Sequence, residues 1–247
     1  MKKFILAVAA VMAIGATPAF AEEEYGMQKG DFSTEIMFNP FSDDFGTFKL
    51  DQLKLRYMFS DKDAVRFGIG FGLDNNKTTP DPEDNENTWV KQTSGNFSIN
   101  LGYERHLIQK GRLDIYVGAG LGYERINAGS TIHTEYDNED YEYKMHNAWG
   151  TFDGDDFSVD NNNRTANIFR VDIFTGIDFY VYKGLYVGAE LGLRFNTACK
   201  PGYYTSGPGY DDNGNFVKNM ESKKADKQTE VSFKTYCEPA LRLGWTF

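Results

Sequence analysis

Eight stretches of the chain alternate between apolar and polar side chains, which is the pattern of β-strands whose two faces meet different surroundings. They lie at residues 30–38, 48–59, 64–73, 97–107, 112–126, 164–181, 185–197 and 229–247. The last stretch is the most regular, because Leu241, Leu243, Trp245 and Phe247 occupy every second position up to the final residue. No comparable helical period is present, so the pattern predicts an all-β chain.

The connections between these stretches alternate in length. Short polar turns at 60–63, 109–111 and 182–184 follow the second, fourth and sixth stretches, and the longer loops are 39–47, 74–90, 127–163 and 198–228. Short turns at one end and long loops at the other are typical of outer-membrane barrels, whose closure removes exposed strand edges. We therefore predict an eight-stranded antiparallel up-and-down transmembrane β-barrel with short periplasmic turns and long extracellular loops.

The beginning of the chain is typical of a secretory signal peptide. Lys2 and Lys3 precede an apolar run at 4–14, and small residues flank Phe20. We assign 1–21 to the signal peptide and 22–247 to the barrel domain. The mean hydropathy of −0.53 does not argue against a barrel, because only alternate residues of its strands face lipid.

The polar face of the strands carries charges of both signs. We assign inward parity to the positions that alternate with the apolar ones along each strand. The charged residues at these positions form the predicted lumen charge network: Lys54, Arg56, Arg66, Glu104, Asp114, Glu124, Arg170, Asp172, Asp178, Glu190, Arg194, Lys234, Glu238 and Arg242. Eight strands leave an interior just wide enough for side chains, and charges removed from water persist there only if they are paired. The sequence therefore predicts a salt-bridged plug rather than a conduit. A soluble barrel would instead place its apolar face inside.

Taken together, these features resemble the small OmpA-like and OmpX-like outer-membrane barrels. The resemblance implies location in the cell outer membrane, with outer-membrane lipid, lipopolysaccharide and the barrel-assembly machinery as partners. In that family the alternating C-terminal residues, here Leu241, Leu243, Trp245 and Phe247, act as the assembly signal. Relatives with a peptidoglycan-binding domain continue past the barrel. This sequence ends on the eighth strand, so the resemblance gives no reason to propose wall anchoring.

Loop 127–163 is the first candidate for an external function. It is rich in acidic and aromatic residues and is too long for a simple connector, so it could hold an extracellular ligand, either a cationic partner or a divalent ion bound through oxygen atoms. Plain solvation of an exposed loop is the favoured interpretation over such a site, both here and for residues 211–214. No cofactor or metal site is predicted. The formal net charge of −10 argues against nucleic acid as a partner.

An enzymatic role has little support from the three histidines. His106 points inward with no serine near it on its strand, whereas His133 and His146 lie in loop 127–163 with Ser130 nearby. We therefore predict a non-enzymatic barrel that serves envelope integrity or surface binding, including adhesion. The alternatives are a lipid-modifying outer-membrane enzyme and lateral passage of small hydrophobic molecules. Lateral passage rests on Pro239 in the closing strand.

The two cysteines share outward parity on neighbouring strands. A register that sets Cys199 opposite Cys237 would allow a disulfide in an oxidising compartment. Other registers leave two thiols that face lipid.

Overall fold

The structure is a computed structural model that describes residues 25–38, 53–78, 89–136, 139–153, 156–211 and 213–247. Within them lie a short 3-10 turn at Asn161–Asn163 and the strands β1 (Phe32–Phe38), β2 (Leu53–Met58), β3 (Asp63–Thr78), β4 (Trp89–Lys110), β5 (Leu113–Tyr136), β6 (Glu139–His146), β7 (Thr151–Asp153), β8 (Asp156–Ser158), β9 (Ala166–Tyr182), β10 (Leu185–Lys200), β11 (Tyr204–Tyr210), β12 (Phe216–Glu221) and β13 (Gln228–Thr246). The predicted signal peptide and loop 39–47 lie outside the described residues. No helix in the described ranges is long and apolar enough to cross a lipid bilayer.

Eight strands close into a ring in the order β1, β2, β3, β4, β5, β9, β10 and β13. All their pairings are antiparallel, and β13 returns to pair with β1. Each of these eight strands overlaps one of the eight alternating stretches of the sequence, although β3 ends at Thr78 and β4 begins at Trp89, inside the predicted loop 74–90. The predicted eight-stranded antiparallel barrel is therefore confirmed.

The C-terminal strand completes the barrel. Trp245 lies opposite Thr34 of β1 on one side and opposite Leu185 of β10 on the other. The backbone N–H of Phe247 donates to the carbonyl oxygen of Phe32 at 2.8 Å. The last residues thus form the closing seam, where a strand that failed to pair would leave two open edges.

The outer surface of the ring is apolar. Phe71, Leu73 and Phe233 are 80%, 83% and 68% exposed, and many other outward Val, Ile, Leu and Phe residues are more than one third exposed. A soluble barrel of this size would bury such residues, because exposed apolar area costs about 25 cal/mol per Å² in water. The outward face is instead suited to lipid.

The three short turns have the backbone geometry that tight reversals require. Gly111 and Lys183 adopt left-handed conformations, with φ of +58° and +44°. Next to Lys183, a Cβ on Gly184 would overlap the carbonyl oxygen of Thr246, so only glycine fits between the turn and the closing strand. Ser60 and Asp63 close the first turn through a 2.6 Å side-chain hydrogen bond.

The predicted boundaries of the long loops are wrong in part. β5 continues ten residues past its predicted end at 126, where its partner changes from β9 to β6. β11 then pairs with β6, and β12 pairs with β11. Strands β5, β6, β11 and β12 therefore extend the barrel as a sheet, which we call the extracellular sheet. Both of its faces carry polar residues, so it lacks the apolar alternation that identified the other strands.

The register rules out the disulfide that the sequence allowed. Cys199 lies opposite Thr229, whereas Cys237 lies opposite Leu191, eight residues further along β10. Eight residues of strand span about 26 Å, and a disulfide needs Cα atoms within about 7 Å. Cys199 is a free thiol.

Pro239 lies in a β-bulge of the closing strand. Gly188 pairs with Arg242 and Glu190 with Glu238, so three residues of β13 stand opposite Ala189 alone. A bulge removes the need for a ladder hydrogen bond from proline. The position of Pro239 therefore has an explanation that does not require a lateral opening.

We expect both cysteines to react with a thiol reagent without prior reduction. Iodoacetamide added to the unfolded, non-reduced protein should attach two groups, because the register keeps the cysteines far apart. Intact mass spectrometry reads the number of groups, and a reduced sample is the control. Attachment of two groups only after reduction would contradict the observed register.

Candidate functional site

The lumen gathers six of the fourteen predicted charged residues, together with Glu35, into one buried cluster. We call its core the ion-pair ring, which consists of Glu35, Arg56, Arg66, Glu104, Asp178, Glu190 and Arg242. All of these side chains are buried except Arg66, which is 17% exposed. The alternation of the strands turns each of them inward, because their neighbours in sequence face lipid.

Arg56 is the centre of the ring. Its guanidinium lies 2.8 Å from Glu35 Oε1, 2.7 Å from Glu104 Oε2 and 2.9 Å from Asp178 Oδ2. These partners belong to three other strands, β1, β4 and β9. A planar guanidinium with five N–H donors suits such a junction better than an ammonium group would.

The other two arginines complete the circuit. Arg66 bridges Glu104 at 2.7 Å and Glu190 at 2.8 Å. Arg242 lies 2.7 Å from Asp178, with Glu35 and Glu190 at 3.4 and 3.5 Å. The pair between Glu190 and Arg242 is the cross-strand contact between the last two barrel strands that parity implies.

Every strand of the barrel contributes to this layer. The seven charged members come from β1, β2, β3, β4, β9, β10 and β13. The remaining strand, β5, supplies Tyr116, whose ring centre lies 5.0 Å from Arg56 Cζ and 5.5 Å from Arg242 Cζ. The ring therefore ties the whole circumference together through the lumen.

Inward glycines make room for the aromatic side chains of this layer. A Cβ on Gly176 would overlap the Tyr116 ring, and one on Gly244 would overlap the Tyr186 ring. Tyr186 in turn donates a hydrogen bond to Glu35 Oε1 at 2.9 Å. Large side chains on one strand thus fit opposite glycines on the next, which is how so narrow a barrel can be filled.

A pair formed by a histidine and an aspartate lies beside the ion-pair ring. His106 Nδ1 is 2.8 Å from Asp114, and its Nε2 is 3.8 Å from Glu104 Oε2. Asp114, predicted to be part of the charge network, therefore pairs with histidine rather than with arginine. Both side chains are buried, so a substrate would have no route to them.

The segment before β1 covers the periplasmic end of the lumen. The side chain of Met27 is buried, and its sulfur lies 3.8 Å from Arg56 Nη1. Gln109 donates to the Met27 carbonyl oxygen at 3.3 Å, and Arg112 donates to the Tyr25 hydroxyl at 2.9 Å. The sequence does not predict this contribution, since residues 25–31 show no alternation that points them into the barrel.

The lumen is less filled above the ring. A polar cavity of about 380 Å³ has Lys54, Arg66 and Glu190 in its lining. Farther up, Arg194 pairs with Asp172 at 2.8 Å, and Arg170 pairs with Glu124. These four upper side chains are 13–24% exposed, so water reaches this half of the barrel.

One predicted member of the network stands apart from it, and the side chain of another lies outside the described part of the chain. The side chain of Lys234 is exposed and makes no ion pair with any described residue, so its assignment to the network is wrong. It lies opposite Arg194, and two like charges on paired strands favour separation. The backbone of Glu238 lies opposite Glu190, but its side chain is outside the described part of the chain.

The extracellular sheet is anchored to the barrel by Arg164. This buried guanidinium donates to the carbonyl oxygens of Pro201 and Asp226, each at 2.9 Å, and to Gln228 at 3.1 Å. It also lies over the ring of Tyr203, 5.1 Å from its centre. The chain that leads into and out of β11 and β12 is therefore held by one side chain, which lies two residues before β9.

Asp211 has a local structural role. It accepts hydrogen bonds from the backbone N–H groups of Asn215 and Asn213, at 2.8 and 2.9 Å. The bonds from Asn215 lower the pKa of this carboxyl below its ordinary value. The oxygens of Asp211 are thus used by their own turn, which favours a structural role for this residue over a role in an ion site.

The chain is similar to outer-membrane proteins described elsewhere. Residues 49–247 match the model of a family described as the putative OmpA-OmpF-like porin family. Among solved structures, the crystal structure of a major outer membrane protein from Thermus thermophilus aligns with 14% identity and a TM-score of 0.37. That alignment covers 88% of this chain and 98% of the other. No curated protein matches the sequence.

We expect Glu104→Gln to destabilise the barrel strongly. The change leaves Arg56 and Arg66 without a shared carboxylate, and breaking a buried ion pair costs about 3–5 kcal/mol. Urea unfolding from lipid vesicles, followed by tryptophan fluorescence, measures the free energy of unfolding. Glu142→Gln, which breaks the exposed pair with Lys144, is the control and should change little. Equal stability of Glu104→Gln and the parent would contradict the role assigned to the ring.

Gly176→Ala should also destabilise the barrel, for a steric reason. The new methyl group overlaps Tyr116, and overpacking of this kind costs about 1–3 kcal/mol. The matched control is Gly120→Ala, because the nearest atom to its added Cβ is 3.4 Å away. The same unfolding assay should separate the two variants, and identical midpoints would show that the lumen is not tightly packed at Tyr116.

Proposed function

Because this chain belongs to the putative OmpA-OmpF-like porin family, we propose that it is a non-enzymatic outer-membrane barrel without a continuous pore. In this proposal it supports the envelope as a stable barrel and presents the extracellular sheet as a binding surface, for instance in adhesion. Its direct partners are outer-membrane lipid and lipopolysaccharide around the barrel, and the barrel-assembly machinery acting on the C-terminal strand.

The proposal that the barrel has no continuous pore rests on the ion-pair ring. A continuous water path would have to pass between Arg56, Glu104 and Asp178, which are in direct contact and buried. Separating such partners without replacing them leaves charges poorly solvated in a narrow space. Met27 and Tyr25 add a second obstruction at the periplasmic end.

The hydrogen-bonded structure of the extracellular sheet supports the proposal that it is a binding surface. A surface used for recognition binds more tightly when it is already in its bound conformation. Strands β6, β11 and β12 are hydrogen-bonded to β5, directly or through one another, and Arg164 fixes the connections between them and the barrel. The acidic residues of loop 127–163 that lie on β6 are thus held on a sheet rather than on a free loop.

One observation favours the lipid-modifying alternative. His146 Nε2 lies 2.8 Å from Ser206 Oγ, which is the spacing of a nucleophile and its base. However, no described carboxylate contacts the other nitrogen of this ring, and the imidazole stacks on Tyr204 at 4.5 Å between ring centres. A histidine without an orienting partner is weakly placed for catalysis. The pair fits better as a cross-strand contact between β6 and β11.

The purified protein should give no steady large conductance in planar lipid bilayers, because the ring and Met27 close the lumen. The double variant Arg56→Ala and Arg242→Ala should instead flicker open, since it removes two of the three ring arginines. Arg105→Ala, outside the lumen, is the control and should stay silent. Stable channels of porin size from the unmodified protein would refute the closed-barrel proposal and favour transport.

A further inference from the structure

A second cavity lies outside the barrel, on one face of the extracellular sheet. It has a volume of about 480 Å³ and is formed by β6, β11 and β12. We call it the extracellular groove, and its central side chains are Glu142, Lys144, His146, Ser206, Asn219 and Glu221. The volume falls within the range of about 300–1,000 Å³ that is usual for small-ligand sites.

The groove is shaped by strand pairing. Tyr204 lies directly opposite His146, and Ser206 directly opposite Lys144, so these four side chains share one face. Next to them, the register of β11 and β12 shifts between Gly207 and Gly209, which bends the outer strand. The resulting concave face is a built feature of the sheet.

The lining of the groove carries charges of both signs, with the four carboxylates of Glu139, Asp140, Glu142 and Glu221 and the two lysines Lys144 and Lys218. Among its carboxylates, Glu142 pairs with Lys144 at 3.0 Å and Glu139 accepts from the Tyr141 hydroxyl at 3.1 Å. Asp140 lies 3.3 Å from His133 Nε2. Lys218 is a further base in the lining. A ligand that carried only positive or only negative charge would therefore meet a like charge as well as an opposite one.

The lining mixes hydrogen-bond donors and acceptors with an apolar rim. Asn219 and Ser206 can both donate and accept, and Glu221 accepts. The rim includes Phe216, which is 48% exposed. This combination suits a ligand with many hydroxyl groups, each of which donates and accepts, and with a C–H face that can lie on an aromatic ring.

We propose that the extracellular groove is a saccharide-binding site. This inference deepens the proposed surface-binding function, and rests on it, by naming the site and the chemical class of its ligand. Glu221 and Asn219 hydrogen-bond the sugar hydroxyls, Ser206 is held in place by His146, and Phe216 covers one face of the sugar ring. Because the groove is outside the membrane, its sugar comes either from a neighbouring lipopolysaccharide or from a free or host glycan.

The test uses the full-length protein in a detergent without a sugar headgroup, such as dodecylphosphocholine, since a maltoside would compete. Three probes are titrated with saturation-transfer NMR: a mixture of neutral trisaccharides (maltotriose, cellotriose and chitotriose), core oligosaccharide released from lipopolysaccharide, and pentalysine. Glu221→Gln and Ser206→Ala are the groove variants. Tyr143→Ala, on the opposite face of β6, is the matched control, because its ring packs over Gly207 rather than in the groove.

We expect at least one saccharide probe to bind and either groove variant to weaken it about tenfold, the effect of one strong hydrogen bond. The Tyr143→Ala variant should bind as the parent does. Preference for the core oligosaccharide assigns the ligand to lipopolysaccharide, and preference for the neutral trisaccharides assigns it to external glycans.

Binding of neither saccharide overturns the proposal, as does saccharide binding that all three variants leave unchanged. Binding of pentalysine alone, weakened by Glu221→Gln, also overturns it, but leaves surface binding by the extracellular sheet intact with a cationic partner. Failure of the closed-barrel proposal would appear separately, as conductance.

Discussion

The structure depends on the requirement that charges inside a narrow barrel be paired. Eight strands enclose a space that side chains fill, and there is too little water around Arg56, Glu104 and Asp178 to solvate them singly. Each carboxylate of the ring therefore touches an arginine from another strand, and each arginine touches at least two carboxylates. The contacts that remove the penalty of burial also connect the circumference of the barrel.

The molecule is consequently divided along its axis. At the periplasmic end the ring, its tyrosines and Met27 fill the lumen. Above them lies a polar cavity with partly exposed ion pairs, and beyond it the chain continues as the extracellular sheet. A surface-binding function places no demand on the lower half except stability, whereas a transport function would require that half to open.

The sequence predicts the barrel well because lipid and lumen impose opposite demands on alternate residues. Parity alone placed Arg56, Glu190 and Arg242 inside, and the closing role of Trp245 and Phe247 followed from the same pattern. Parity does not predict which residues of neighbouring strands lie opposite each other, because that depends on the stagger of the strands. This is why Cys199 and Cys237 were allowed a bridge that the register forbids.

The other differences between the predicted and the observed structure lie outside the part of the barrel where one face of a strand meets lipid and the other meets the lumen. Strands β6, β11 and β12 have water on both faces, so hydrophobic periodicity could not distinguish them from loops. Lys234 has inward parity, yet lies near the extracellular end of β13 where its ammonium group stays hydrated. Met27 precedes the first strand, and no local pattern reveals that it enters the lumen.

The accessibility of the lumen to a charged reagent tests the central claim most directly. In a background with Cys199→Ser and Cys237→Ser, one variant carries Asn100→Cys in the upper cavity and another carries Ser33→Cys, at a fully buried position near the periplasmic end. A cationic methanethiosulfonate reagent added to the outside of intact cells should label the first variant rapidly. It should label the second only after unfolding in urea. Comparable labelling of both variants in the folded protein would contradict a lumen closed by the ion-pair ring.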